Sequence, residues 1–380
     1  MSAQSNGGEP LAGLRICFLA GTLGQGGAER QLFHMLDQLQ RAGARVTLLC
    51  LTQGEFWERR IVELGVPCIW VGQKKSRLRR LFRIFQELRR DRPDIVQSQH
   101  FYTNLYAAVA GRASGLPAIG AIRSNVFGEV RDNGRVLGNL CLHLPHLLAV
   151  NSSAAIENAL TRGIAPGKLW LVPNAVDVDR FHPDANKCAG KRDGAFQILS
   201  AGRMDALKRF DLVLRVIDRL RREARVPIRA VLAGDGPLRS SLEKQAAELN
   251  LLDCVEFRGQ VADLAPLYRE SDALLLASDQ EGTPNVILEA MASGLAVVAT
   301  AVGGIPGIIT SGKNGFLAPP GEEEGLVNAL LRLTESDTLR AEIGGQARAF
   351  AAASHAPSSV LTALGGLYRA ALGFGAGSGT

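Results

Sequence analysis

The chain has 380 residues, 46% of them hydrophobic and 21% charged, with a formal net charge of +6 at pH 7. That length calls for two domains or one large α/β unit, and the composition is that of a globular protein, not of a disordered or fibrous one. No apolar run reaches the roughly 20 residues a bilayer-crossing helix needs, and 6% aromatic residues without a recognition motif argue against nucleic acid as a partner.

Residues 1–13, MSAQSNGGEPLAG, are polar and read as disordered; they lack the basic and apolar regions of a secretory signal. The six cysteines (Cys17, Cys50, Cys68, Cys141, Cys188, Cys254) are scattered without a CxxC pair. Three lie in strand-like segments, which points to buried reduced thiols and a cytoplasmic chain. Leu14 to Ala20 reads as a strand, Gly21 to Ala28 as a glycine-rich turn, and Glu29 to Ala42 as a helix with Leu32, Met35, Leu36 and Leu39 on one face. Val46 to Leu51 closes a βαβ unit. The turn departs from GxGxxG, but its glycines let backbone N–H groups approach a phosphate.

Cys68 to Val71 is a short strand, followed by the basic stretch Gln73 to Pro93 with nine Lys and Arg residues. Leu78, Leu81, Phe82, Phe85 and Leu88 recur there at helical spacing. The plainer reading packs this stripe on a sheet; the sharper one adds docking of Lys74 to Arg92 on an anionic membrane surface. Strands at Asp94 to Ser98, Ala118 to Ile122, Leu147 to Val150 and Leu169 to Val172 follow. Between them come a helix from Leu105 to Ala113, a helix-rich segment from Asn125 to Pro145, and a helix to Leu160 capped by Asn151, Ser152 and Ser153.

Asp177 to Gly194 is polar and aperiodic and reads as a linker. Its Asp177-x-Asp179 pair invites a divalent-ion reading, but no other ligand or strand-loop site supports one. The second half opens as the first did, with a strand from Phe196 to Ala201 and a helix from Asp211 to Glu223. Arg203 and Lys208 sit between them at a strand's carboxyl end, suited to neutralise a diphosphate. Strands at Arg229 to Ala233, Val255 to Phe257, Ala273 to Leu276 and Ala296 to Thr300 alternate with helices at Arg239 to Leu249, Glu322 to Leu333 and Val360 to Leu372. Ala277 to Ala292, ASDQEGTPNVILEAMA, is a strand-loop-helix unit with Glu281 in the loop and Glu289 about two turns into the helix. The whole is α/β: two doubly wound Rossmann-like domains facing an interdomain cleft, where a small anionic ligand is expected.

Six motifs carry a resemblance: GQGGAER at Gly24 to Arg30, VPNAVD at Val172 to Asp177, GRMDALKR at Gly202 to Arg209, AGDGPL at Ala233 to Leu238, EGTPNVILEAMASG at Glu281 to Gly294, and GGIP with NGFLAPPG near Gly304 to Gly321. The chain resembles the retaining glycosyltransferases of the GT-B fold, family 4 type (glycosyl transferases group 1), over about residues 14–372. The resemblance implies an acceptor-binding domain at 14–176, a linker at 177–194, a nucleotide-sugar-binding domain at 195–355, a C-terminal helix at 356–372 packing back toward the first domain, and a disordered tail at 373–380. It implies that Arg203 and Lys208 bind the donor diphosphate and, with Glu281, form the catalytic set. Glu289 would take the ribose hydroxyls, and Glu281, Gly282, Thr283, Pro284 and Asn285 the transferred sugar. Gly234 and Val261 would flank the base, and Gly27 would point an amide at the phosphate. Glu29, His100, Arg123 and Asn125 would lie on the acceptor side.

The implied reaction moves a sugar, with retention, from a nucleotide-sugar (a UDP-sugar by family weight) to a glycan or lipid-linked acceptor in polysaccharide or cell-envelope glycan synthesis. It needs no metal or cofactor, and the protein would be cytoplasmic or peripheral on the cytoplasmic membrane. Two positions depart from the pattern: Arg123-Ser124-Asn125 stands where many relatives have a His, and Gly307 where relatives often have a Glu. A nucleotide-sugar epimerase and a non-catalytic sugar-nucleotide-binding scaffold are the alternatives; a dehydrogenase fits less well, lacking GxGxxG and a ribose-binding acid.

Overall fold

The computed structural model describes residues 11–73, 76–183 and 194–376, the last three without side chains. It divides into two compact units, Met1–Ala175 with Pro357–Thr380, and Val176–Ala356.

The first unit runs β1 (Arg15–Ala20), α1 (Gly27–Arg41), β2 (Arg45–Cys50), α2 (Glu58–Glu63), β3 (Cys68–Trp70), α3 (Arg77–Asp91), β4 (Ile95–Ser98), α4 (Asn104–Ala113), β5 (Ala118–Ile122), α5 (Val126–Asp132), α6 (Arg135–His143), β6 (Leu147–Val150), α7 (Ser153–Thr161) and β7 (Leu169–Leu171). All paired strands are parallel, in the order β3-β2-β1-β4-β5-β6-β7. Strands β5 and β6 are continuous apolar runs, as expected of parallel strands covered on both faces; β4, β5 and β6 are buried along their whole length, β4 with the polar Gln97 and Ser98 among its buried residues.

The second unit runs β8 (Phe196–Ala201), α8 (Phe210–Glu223), β9 (Ile228–Ala233), α9 (Arg239–Glu248), β10 (Val255–Gly259), α10 (Ala265–Glu270), β11 (Ala273–Leu276), α11 (Asn285–Ala292), β12 (Ala296–Thr300), β13 (Phe316–Ala318), α12 (Glu323–Glu335) and α13 (Asp337–Ser354). Its parallel sheet has the order β10-β9-β8-β11-β12-β13. The chain then ends in α14 (Pro357–Ala376), which belongs to the first unit: Val360, Leu364, Leu367, Tyr368 and Ala371 join the core built on α1 and β1.

Four expectations are corrected. Residues 1–13 are not all loose: Leu11 is buried in the first unit's core, and the Gly13 amide donates to the Gly43 carbonyl at 2.9 Å; residues 1–10 lie outside the described residues. The segment 177–194 is not simply a linker, since Phe181 packs edge-on against Tyr268 at 5.8 Å within the second unit; residues 184–193, Cys188 among them, lie outside the described residues. The tail expected from residue 373 begins helical, because α14 continues to Ala376. The basic helix does not bury its whole stripe. Ile84 and Leu88 are buried and Leu81 and Phe85 partly so, while Leu78 and Phe82 are 78% and 60% exposed. At 3.6 residues per turn, Leu78 and Phe82 stand roughly a quarter-turn round from the packed face.

Candidate active site

In the second unit the site is built where the strand order reverses, between β8 and β11. After β8, the Asp205 carboxylate accepts the amides of Leu207 (3.0 Å) and Lys208 (3.2 Å), closing a 3₁₀ turn over Ala206–Lys208. That turn delivers Lys208 Nζ to Glu281 Oε1 at 2.5 Å, an oxygen that also accepts from Ser278 Oγ at 2.7 Å. The next residue, Arg209, takes a left-handed conformation and pairs with Asp211 at 2.9 Å and Asp279 at 3.1 Å. The bond to Asp211 raises the guanidinium above its ordinary value; burial works to raise Asp211 in turn, but Arg209 and Arg215 hold it below the usual carboxylate range. The Asp279 amide donates to the Leu207 carbonyl at 2.8 Å. Two adjacent ion pairs and a backbone bond therefore clamp the β8 and β11 exits at the edge where open α/β sheets bind ligands.

Glycines make the clamp possible. Gly303 has φ +54, and a Cβ there would meet the Glu281 carbonyl oxygen at 1.8 Å; Gly304 donates to the Gly282 carbonyl at 2.8 Å. At Gly234 a Cβ would meet the Gly202 carbonyl oxygen at 1.8 Å, so β8 and β9 exit side by side, and the Gly234 amide reaches the Gly259 carbonyl at 2.7 Å. Arg203 stands exposed in the Lys208 loop, and Val261 is half-buried after β10. Gly282 and Thr283 lead through Pro284 to α11, whose first residue is Asn285. Glu289 is thus just into the second turn of α11, not past it. It is buried, and its Oε2 accepts from Tyr268 Oη at 2.9 Å. Tyr268, Ser278, Arg209 and Asp279 escaped the sequence reading; the DQE spacing of Asp279 to Glu281 behind a buried strand was the available signal.

In the first unit the strand order reverses between β1 and β4, and two of the expected acceptor-side groups meet there. Gly27 is the first residue of α1 and Glu29 the third. Glu29 folds back over Gly26, where a Cβ would lie 2.2 Å from its Oε2. The Gly21 amide donates to His100 Nδ1 at 3.0 Å, so the imidazole proton sits on Nε2 and is given to Glu29 Oε1, also at 3.0 Å. Both ring nitrogens are engaged, and His100 acts here as a staple between the β1 and β4 exits. Nearby, Glu55 accepts from Thr22 Oγ1 (2.8 Å), Thr52 Oγ1 (2.6 Å) and the Leu23 amide. Burial alone would raise this carboxyl, but those donors hold it below its usual value. Glu129 is pushed up by burial, against a hydrogen bond from Ser124.

The remaining acceptor-side candidates are separate from that staple. Asn125 Oδ1 caps α5, accepting from Phe127 (2.9 Å) and Gly128 (3.3 Å). Arg123 turns inward toward Met35 of α1, its Nη2 lying 3.7 Å from the Met35 sulfur. In the second unit Asp177 accepts the amides of Asp179 and Arg180 at 3.2 and 3.0 Å, so it acts as a turn former. Among the described residues no group of three or more His, Cys, Asp or Glu could hold a metal, and no helix is long and apolar enough to cross a membrane.

The sequence matches two family models: "Glycosyltransferase Family 4" over residues 25–180 and "Glycosyl transferases group 1" over residues 195–336. The chain is 26% identical to the sulfoquinovosyl transferase SQD2 of Arabidopsis thaliana, covering 85% of this chain and 66% of that protein. It is 29% identical to a D-inositol 3-phosphate glycosyltransferase of Streptomyces avermitilis, covering 69% and 61% respectively. The chain thus spans less than two thirds of the length of these curated relatives. HepE of Anabaena, solved in complex with UDP, superposes with a TM-score of 0.82 at 21% identity, covering 94% of this chain and all of that one.

Proposed function

The chain belongs to the group 1, family 4 type of glycosyltransferases, which its two halves match in turn, and from that premise we propose that it transfers a sugar, with retention of configuration and without a metal, from a UDP-sugar to a glycan or lipid-linked acceptor. The observation that carries this reading is the Lys208–Glu281 pair at the β8–β11 switch point, clamped by Arg209–Asp279.

Lys208 neutralises Glu281. An arriving diphosphate offers Lys208 a stronger anionic partner, with Arg203 exposed in the same loop to share the load. Glu281, released, can accept from the hydroxyls of the transferred sugar, while Glu289 and the loop residues Gly282, Thr283, Pro284 and Asn285 complete the donor subsite with Gly234 and Val261. As the bond between C1 and the phosphate oxygen breaks, its electron pair leaves with the diphosphate. Lys208 and Arg203 stabilise that growing charge more than the ground state. The acceptor hydroxyl attacks C1 from the face the diphosphate vacates, and its proton passes to the departing phosphate oxygen. The two cations do the work a metal would otherwise do. Gly27, Glu29, His100, Arg123 and Asn125 serve the first unit's side of the reaction, His100 as a positioning residue through Gly21 and Glu29.

The test is a thermal-shift panel of UDP, GDP, ADP and their sugar conjugates. UDP at about 100 times its dissociation constant should add about 2.7 kcal/mol of apparent stability. Lys208→Ala and Glu289→Gln should each lose most of that shift, and EDTA should leave it intact. No stabilisation by any nucleotide would overturn the donor assignment; turnover of donor alone to an isomer would favour the epimerase.

A second reading concerns location, and the exposed side of α3 favours it. Gln73, Leu78, Arg79, Phe82, Arg83 and Gln86 line a surface groove. Two large apolar side chains ringed by arginines suit the boundary between anionic headgroups and acyl chains. We read this face as a peripheral attachment to an anionic membrane surface, on which a lipid-linked acceptor would reside. Of the expected segment from Lys74 to Arg92, the two lysines at 74 and 75 lie outside the described residues.

A further inference from the structure

Arg123 is a half-buried cation with no carboxylate partner among the described residues. It follows β5 at the carboxyl edge of the first sheet, and its carbonyl accepts from Asn151 Nδ2 at 3.2 Å, which ties it to the β6 exit. Among the described residues the Nε atom, sealed from solvent, has no hydrogen-bond partner, and the guanidinium's one polar side-chain contact is the Met35 sulfur, a weak acceptor. No carboxylate among the described residues pairs with it, and the Tyr368 phenol of α14, itself pushed up by burial, is neutral at neutral pH and offers no counter-charge. Burial lowers its pKa to about 10, which still leaves it charged at neutral pH. A desolvated guanidinium is expensive unless its fork is filled, and the residue as a whole is half-buried.

We propose that Arg123 is the receptor for an oxyanion, phosphate or carboxylate, carried by the acceptor. This rests on the transferase reading and deepens it: the acceptor is anionic, and the planar fork would take two of its oxygens side by side. The donor's own diphosphate is assigned to Arg203 and Lys208 in the second unit, so the two anion sites should be separable.

The experiment is a double dissociation by thermal shift on the full chain, with inorganic phosphate, acetate and UDP as probes, on wild type, Arg123→Met, Arg123→Lys and Lys208→Ala. Phosphate or acetate, whichever matches the acceptor's group, should raise the wild-type midpoint by about 3 °C. The rise should persist in Lys208→Ala, vanish in Arg123→Met, and need roughly tenfold more anion in Arg123→Lys, which keeps the charge but loses the fork. The UDP response should do the reverse, surviving in Arg123→Met and failing in Lys208→Ala. Without anion, Arg123→Met should melt at or above the wild-type temperature, because an unpaired buried charge is gone. An anion response equal in wild type and Arg123→Met would overturn the proposal, as would a UDP response lost with Arg123. So would Arg123→Met melting well below wild type while Arg123→Lys keeps the full anion response, the pattern of a packing role. Absence of any UDP response, with the Arg123-dependent anion response intact, would sink the donor reading and leave the anion site standing.

Discussion

Glu281 owes its position to a residue 22 places further on. Gly303 adopts φ +54 and brings its backbone against that of Glu281, at a distance where a Cβ would fall 1.8 Å from the carbonyl oxygen. Neither requirement can be met by another residue: the left-handed conformation is strained for any side chain, and the contact is with backbone, which cannot rotate away. Replacing Gly303 with Ala should destabilise the second unit by about 2–4 kcal/mol and displace the Glu281 carboxylate from Lys208. The expected readings are a lower urea midpoint and a UDP-sugar affinity reduced more than the UDP affinity, since Glu281 faces the sugar in the proposed reading. Unchanged calorimetric binding of both ligands would show that the loop tolerates a shift. From sequence, the Glu281–Glu289 spacing, Arg203 and Lys208 were legible because strand-loop-helix punctuation places them. The partners Ser278, Tyr268 and Asp279 were not, because a hydrogen bond across 21 residues, as between Tyr268 and Glu289, leaves no periodic trace.

At the scale of elements, strands were easier to find than helices. A parallel strand buried on both faces is a short apolar run, and Phe196–Ala201, Ala118–Ile122, Ala273–Leu276 and Ala296–Thr300 have the bounds the sequence suggests. The longest helix to which the sequence analysis assigns nothing is α13, which carries the adjacent glycines Gly344 and Gly345. The structure keeps the helix because Gly344 packs where a Cβ would lie 2.0 Å from the Gly294 carbonyl oxygen, so the glycine permits close helix-to-turn approach. In α3 the error was one of phase. The stripe of five predicts one buried face, but the face that is buried carries Ile84, Glu87 and Leu88, with Glu87 paired with Arg83 at 2.7 Å and Arg90 at 2.8 Å, while Leu78 and Phe82 face solvent. If this face meets a membrane, Leu78→Ser with Phe82→Ser should cut flotation with anionic vesicles several-fold at unchanged melting temperature. Arg79→Gln with Arg83→Gln should do the same at low salt and less so at high salt, as screening predicts. Equal recovery of all three proteins with the vesicles would remove the attachment.

For the whole molecule, the decisive feature is that the first unit is not continuous in sequence. Its sheet and most of its helices are complete by Ala175, but part of its core arrives only with α14, after the second unit has been built. Val360, Leu364, Leu367, Tyr368 and Ala371 are each at most 3% exposed, and Tyr368 Oη donates to the buried Gln97 Oε1 of β4 at 2.7 Å. Burial of a large apolar side chain is worth about 1.5–3 kcal/mol. Losing Val360, Leu364, Leu367 and Tyr368 together would therefore remove roughly 6–12 kcal/mol, as much as a domain's entire net stability. Among the described residues the second unit keeps its own cores on both faces of its sheet, with no contribution from α14. A chain ending at Ala356 should consequently lose the first unit's cooperative melting while the second unit still melts as one. Scanning calorimetry with and without UDP separates the two, since a ligand raises only the transition of the unit it binds. The surviving transition should move upward with UDP and fail to move in Lys208→Ala. Retention of both transitions would mean that α14 is dispensable to the first core, and loss of the UDP response from an intact second unit would mean that the donor groups named in that unit are insufficient to bind it.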